Sequence, residues 1–71
     1  MKIIRLKEVM TITGLSRSTI YERMSMEEFP PNVNLGGSAV GWLESEVVAW
    51  IEKRVIERDK RLNQPLYSKW G

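Results

Sequence analysis

The sequence predicts one small α+β domain, mainly helical, built from a helix-turn-helix, a short β-hairpin and a third, longer helix. Three observations predict it. Apolar residues recur at helical spacing on both sides of Gly14, which places a turn between two short helices. Alternating residues flank Gly36-Gly37-Ser38 and mark two strands joined tightly. Val47, Val48, Ile51 and Val55 then mark one more helix, acidic at its start and basic toward its end.

Leu6, Val9 and Met10 share a helical face and Gly14 follows Thr13, so the first helix spans about Lys7 to Ile12 and stops at a glycine. Ser16 is a natural N-cap. Behind it, Ile20 and Met24 lie four apart, giving a second helix over Arg17 to Ser25 whose apolar side meets the first. The two helices and the turn at Gly14 make a helix-turn-helix candidate. Pro30 and Pro31 end helical structure and hold Phe29 extended. Val33 and Leu35 then alternate with Asn32 and Asn34, and Ala39 to Trp42 return as the partner strand.

The third helix is expected from about Leu43 to Arg58 or slightly beyond, with Glu44 and Glu46 in its first turn and Lys53, Arg54, Arg58, Lys60 and Arg61 later. Acid early and base late suit the helix dipole, a structural explanation as good as any functional one. Trp42 and Trp50 are expected in the core. The whole is a winged helix-turn-helix over residues 1–61, followed by a tail over 62–71. That tail carries Leu66, Tyr67 and Trp70 and reads either as a frayed end or as a segment for self-association or a protein partner.

Composition narrows the function. With 71 residues and 42% hydrophobic content the chain makes one folded domain, not a disordered one. It holds no cysteine and no histidine, so disulfides, thiolate nucleophiles, Cys/His zinc sites and the usual general base are all excluded. No nucleophile, base and orienting group occur in a plausible arrangement, and the chain is not expected to be an enzyme or to need a cofactor. Neither a signal-peptide core nor a long apolar run is present, so a cytoplasmic protein without a membrane partner is expected. The net charge is +2, distributed as +3 over residues 1–25, −5 over 26–52 and +4 over 53–71. Two basic segments around an acidic one suit a molecule that offers one face to phosphates, and on charge alone suit an ordinarily solvated surface equally well.

The candidate binding residues follow from the second helix. Turning Ile20 and Met24 inward leaves Ser18, Glu22 and Ser25 outward and Thr19 and Tyr21 on the flanks. Small hydroxyls at a helix start beside Arg17, with Tyr21 and Arg23 further along, suit close approach to a DNA groove. Arg17 is the first choice for a base or backbone contact, and Lys7 and Arg23 for neutralising phosphates. Ser16 is expected mainly to cap the helix. Tyr21 suits phosphate donation and core covering equally. Glu22 is expected to be tempered by an ion pair. Gly36, Gly37 and Ser38 form the wing tip, where missing side chains permit tight turning and close approach to a backbone. No Lys-Ser/Thr follows the glycines, so they are not a nucleotide-phosphate loop.

Taken together, Arg5-Leu-Lys-Glu-Val, Thr13-Gly-Leu-Ser-Arg-Ser-Thr-Ile-Tyr, Phe29-Pro, Leu35-Gly-Gly, Val40-Gly-Trp-Leu-Glu-Ser-Glu-Val and Ala49-Trp-Ile resemble the AlpA-type prophage regulatory proteins. The resemblance spans about Arg5 to Arg54. It implies a MerR-like winged helix, with the helix from Arg17 in the major groove and the Gly36-Gly37 hairpin on the backbone or minor groove. It also implies a phage or prophage DNA-binding protein that regulates transcription, often of an integrase gene, or serves as an excisionase. Where the family commonly has a basic wing residue, this chain has Ser38.

The partners implied are double-stranded DNA, an integrase or RNA polymerase, and further copies of the chain assembling cooperatively on DNA. Two competing readings are a phage DNA-packaging adaptor of the same fold and a protein-binding antirepressor module that works through the tail.

Overall fold

The computed structural model describes residues 1–62; the expected association segment around Leu66, Tyr67 and Trp70 lies outside them. The elements are β1 (Ile3–Ile4), α1 (Leu6–Thr13), α2 (Arg17–Ser25), β2 (Val33–Gly36), β3 (Ala39–Leu43) and α3 (Glu44–Leu62). Three helices and a three-stranded antiparallel sheet of order β1-β3-β2 give the mainly helical, winged helix-like α+β domain that the sequence predicts.

The sheet has one strand more than expected. A run of two residues is too short to show alternation, so β1 leaves no pattern in the sequence. It pairs with the end of β3, Ile3 opposite Leu43 and Ile4 opposite Trp42. This pairing corrects the start of the third helix: Leu43 is the last residue of β3, and α3 begins at Glu44. The Glu44 amide donates to the Lys2 carbonyl at 2.9 Å, tying the N-terminus to the first turn of α3. At the other end α3 continues about one turn past Arg58, through Leu62. The first helix is also one residue longer at each end than expected.

The turn between α1 and α2 follows from Thr13 and Gly14. Gly14 adopts a left-handed φ of 74°, where glycine has no Cβ to strain, and its amide donates to the Met10 carbonyl at 2.8 Å. The Thr13 hydroxyl donates back to the Val9 carbonyl at 2.8 Å and accepts from the Leu15 amide at 3.2 Å. The backbone is thereby satisfied on both sides of the reversal.

The core takes one residue from nearly every element. Ile4 of β1, Val9 of α1, Ile20 of α2, Phe29 of the connecting loop, Trp42 of β3 and Val47 of α3 are buried together. Trp42 is the largest of them and fully enclosed. Its Nε1 donates to the Pro30 carbonyl at 3.2 Å, so the indole both fills the centre and holds the loop after α2. Trp50, expected in the core, is half-buried at its edge. Its ring meets Phe29 edge-on at 4.9 Å, and its Nε1 donates to the Glu28 carbonyl at 2.8 Å.

Gly41 shows how closely β1 is seated. A Cβ there would stand 2.5 Å from Ile3 Cγ2, 3.0 Å from the Ile4 carbonyl oxygen and 3.2 Å from Leu35 Cδ1. Gly41→Ala is therefore expected to lower unfolding stability by about 1–2 kcal/mol, toward the low end of overpacking because Ile3 lies at the surface and has room to shift. Urea unfolding measures this, and an unchanged midpoint would contradict the seating of β1 over Gly41.

Candidate nucleic-acid interface

The second helix is held from both ends. Ser16 has extended backbone and its Oγ accepts the Thr19 amide at 3.2 Å, the N-cap bond expected from sequence. The same Oγ donates to Thr19 Oγ1 at 2.9 Å and lies 3.4 Å from Ser18 Oγ. Ser16 is thus occupied with the helix start. Ser16→Ala is expected to cost about 1 kcal/mol and Ser16→Asp much less, as read from thermal unfolding. Equal stability of wild type and the alanine variant would show that the cap does not hold α2. At the far end Glu27 takes a positive φ of 57°, and the Glu28 amide returns to the Arg23 carbonyl at 2.8 Å.

Buried Ile20 fixes the rotation of α2 and leaves Arg17, Ser18, Glu22 and Ser25 exposed. Arg17 and Tyr21 stand one turn apart, and the Arg17 guanidinium carbon lies 5.7 Å from the Tyr21 ring centroid. Tyr21 in turn meets Trp42 edge-on, with centroids 6.2 Å apart and planes at 74°. Arg17 is therefore connected through Tyr21 to the centre of the core. The half-buried Tyr21 ring packs against the core. Among the described residues Glu22 has no ion pair, contrary to expectation. It stays a bare negative charge on the exposed face.

Arg23 parts company with Arg17. It is half-buried, its Nε is enclosed without a hydrogen-bond partner among the described residues, and it lines a groove with Ile12, Leu15, Trp50, Ile51 and Arg54. The groove lies between the helix-turn-helix and α3, away from Arg17. Lys7 is exposed on α1, and its carbonyl accepts the Thr11 hydroxyl at 3.0 Å.

The hairpin tip is built as a wing. Gly36 and Gly37 have φ of 108° and 58°, both unfavourable for a side-chain-bearing residue, and Ser38 is exposed beside them. Pairing with β3 slips between Asn34 and Gly36. Asn34 Oδ1 accepts the Gly36 amide at 2.7 Å, so an Asx-type turn shapes the tip. Asn34 was not among the residues expected to matter; an asparagine two residues before a glycine pair is the signal that identifies it.

Over the described residues there is no group of three or more acidic, His or Cys side chains placed to hold a metal, and no helix is long and apolar enough to cross a membrane. The chain offers instead a rigid helix face with one arginine, two small hydroxyls and a glycine-tipped hairpin.

Residues 2–55 match the family model described as the prophage CP4-57 regulatory protein, AlpA. The chain belongs to the AlpA family. A protein of Enterobacteria phage P4, ORF88, described as uncharacterized, is 52% identical over 59 residues, covering 83% of this chain and 67% of that protein. The DNA-binding transcriptional activator AlpA of Escherichia coli K12 is 36% identical over 59 residues, covering 75% of this chain and 84% of that protein. The AlpA family match takes in both helices of the helix-turn-helix, the whole hairpin and the start of α3, and ends at Val55.

Proposed function

We propose that this AlpA-family chain is a phage-type, sequence-specific double-stranded DNA-binding regulator that acts in the cytoplasm through α2 and the β2–β3 hairpin. The observation that carries the reading is the exposed α2 face of Arg17 and Ser18, locked to the core by Ile20 and by the Arg17–Tyr21–Trp42 contacts. A groove-reading helix needs its side chains preset by their support, and α2 has that support. The 36% identical AlpA, a DNA-binding transcriptional activator, lends the same direction.

In this reading α2 enters the major groove and Arg17 and Lys7 neutralise phosphates. Ser18 and Tyr21 meet base edges and sugar, with Thr19 and Ser16 holding the helix start. Glu22, free of an ion pair among the described residues, repels phosphate and accepts from a cytosine amino group, which gives discrimination more than affinity. Arg23 stands at the margin, steadying α2 against α3. The Gly36-Gly37-Ser38 tip contributes backbone amides to a phosphate and, without a basic side chain, little charge. The regulated DNA is an integrase promoter or an attachment site, with an integrase or RNA polymerase as partner.

One such module covers about 600–1,000 Å² of its own surface, so specific occupancy needs copies on adjacent sites. Footprinting on the DNA that flanks the chain's own gene tests this. Adjacent short protected sites that fill together over a narrow concentration range are expected. Independent filling would remove the cooperative part of the proposal, and absence of any footprint at low salt would remove DNA binding itself.

A further inference from the structure

Among the described residues, the distal half of α3 is a helix with nothing packed on it. Every residue from Glu52 to Leu62 is exposed, and an isolated helical segment of that length is marginal in water. Apart from Ile56, which is 53% exposed and about 100° round the helix from Val55, its large apolar side chains share one face. Val48, Val55 and Leu62, which are 41%, 40% and 45% exposed, recur every seven residues. At 3.6 residues per turn they fall within about 40° of one line, and half-buried Ile51 borders it.

The charges beside this stripe are sorted by sign. Glu52 and Asp59 lie along one edge, and Arg54, Arg58 and Arg61 along the other. Two identical helices facing each other in parallel place the acidic edge of each against the basic edge of its mate. Antiparallel helices would instead oppose acid to acid and base to base. Arg54 of one copy then reaches the height of Asp59 of the second, the usual g-to-e pairing of a parallel coiled coil. The ion pairs already present do not prevent the exchange, since Arg54–Glu57 at 3.2 Å and Arg58–Asp59 at 2.9 Å are exposed surface pairs of little net strength.

We propose that α3 is a self-association surface, on which a second copy of this chain docks in parallel along Val48, Ile51, Val55 and Leu62. The seam is barely two heptads long and Arg58 takes the place of Ile51 in its second heptad, so the pair is weak in free solution and is completed where two copies are held close. Parallel docking puts both helix-turn-helix units at the same end of the pair. The surface stands independently of DNA binding, and its test needs no DNA.

The chain has no cysteine, so single introduced thiols report which positions meet. Leu62→Cys in the full chain, treated with a short bis-maleimide, is expected to give a covalent dimer. Antiparallel helices centred on Val55 would hold the two introduced thiols about 20 Å apart and give none. Adding Val55→Glu is expected to reduce the dimer yield at least about tenfold with the circular dichroism spectrum unchanged, because Val55 is exposed in the single copy. Glu52→Arg with Asp59→Arg is expected to reduce it too, and mixing with an Arg54→Glu, Arg58→Glu chain to restore it as a heterodimer. Crosslinking at Val55→Cys without crosslinking at Leu62→Cys would overturn the parallel arrangement. A monomer by sedimentation at millimolar concentration, insensitive to Val55→Glu, would overturn self-association and leave the basic edge as a phosphate contact.

Discussion

Trp42→Ala is expected to remove most of the domain's stability. Trp42 is fully enclosed, touches Tyr21 edge-on and satisfies the Pro30 carbonyl. Removing a large buried aromatic costs about 3–5 kcal/mol, and a domain of this size holds about 4–10 kcal/mol in total. The loss reaches beyond the cavity, because each packed element gives the core only one large buried side chain and Trp42 is the volume they share. Trp42→Phe keeps much of that volume but leaves the Pro30 carbonyl without its donor, so an intermediate loss of about 1–3 kcal/mol is expected. Urea unfolding followed by circular dichroism separates the three proteins. An alanine variant within about 1 kcal/mol of wild type would show that the core is not organised around this indole.

The second large effect is on binding rather than folding. Arg17 is exposed, and its contact with the Tyr21 ring is an exposed cation–π interaction of about 0.5–1 kcal/mol, so Arg17→Ala is expected to leave the fold nearly as stable as before. DNA affinity, by contrast, is expected to fall by about 1–3 kcal/mol, with the slope of log affinity on log salt reduced by about one. This split between an unmoved melting temperature and weakened binding is what a DNA contact produces and a structural arginine does not. Arg23→Ala should behave in the opposite sense, because the half-buried Arg23 stem covers apolar groove surface that alanine would leave bare.

The sequence was readable wherever a local signal was complete. Gly14 after Thr13, the Ser16 cap and the Gly36-Gly37 pair each dictate a backbone conformation by themselves, and each is found as expected. The second helix was legible to both ends because its cap and its buried Ile20 agree. Long-range pairing was not legible. Ile3 and Ile4 become a strand only because Trp42 and Leu43 lie across from them, and that same pairing takes Leu43 from the helix. Val48 and Val55 signalled a helix correctly but not its environment, since apolar spacing looks the same against a core and against a second copy. In the candidate site, Arg17 and Ser18 are exposed together as expected. Arg23 is half-buried and lines the groove that α3 borders, a placement that spacing within α2 alone does not carry.

In the proposed function α2 binds DNA through Arg17. Fluorescence anisotropy tests it most directly, with labelled duplexes from the DNA flanking the chain's gene titrated with wild type and Arg17→Ala at about 50 and 200 mM salt. Binding that weakens steeply with salt, and weakens further by about 1–3 kcal/mol in the variant, is the predicted result. Wild-type binding equal to that of Arg17→Ala at both salt concentrations would contradict it.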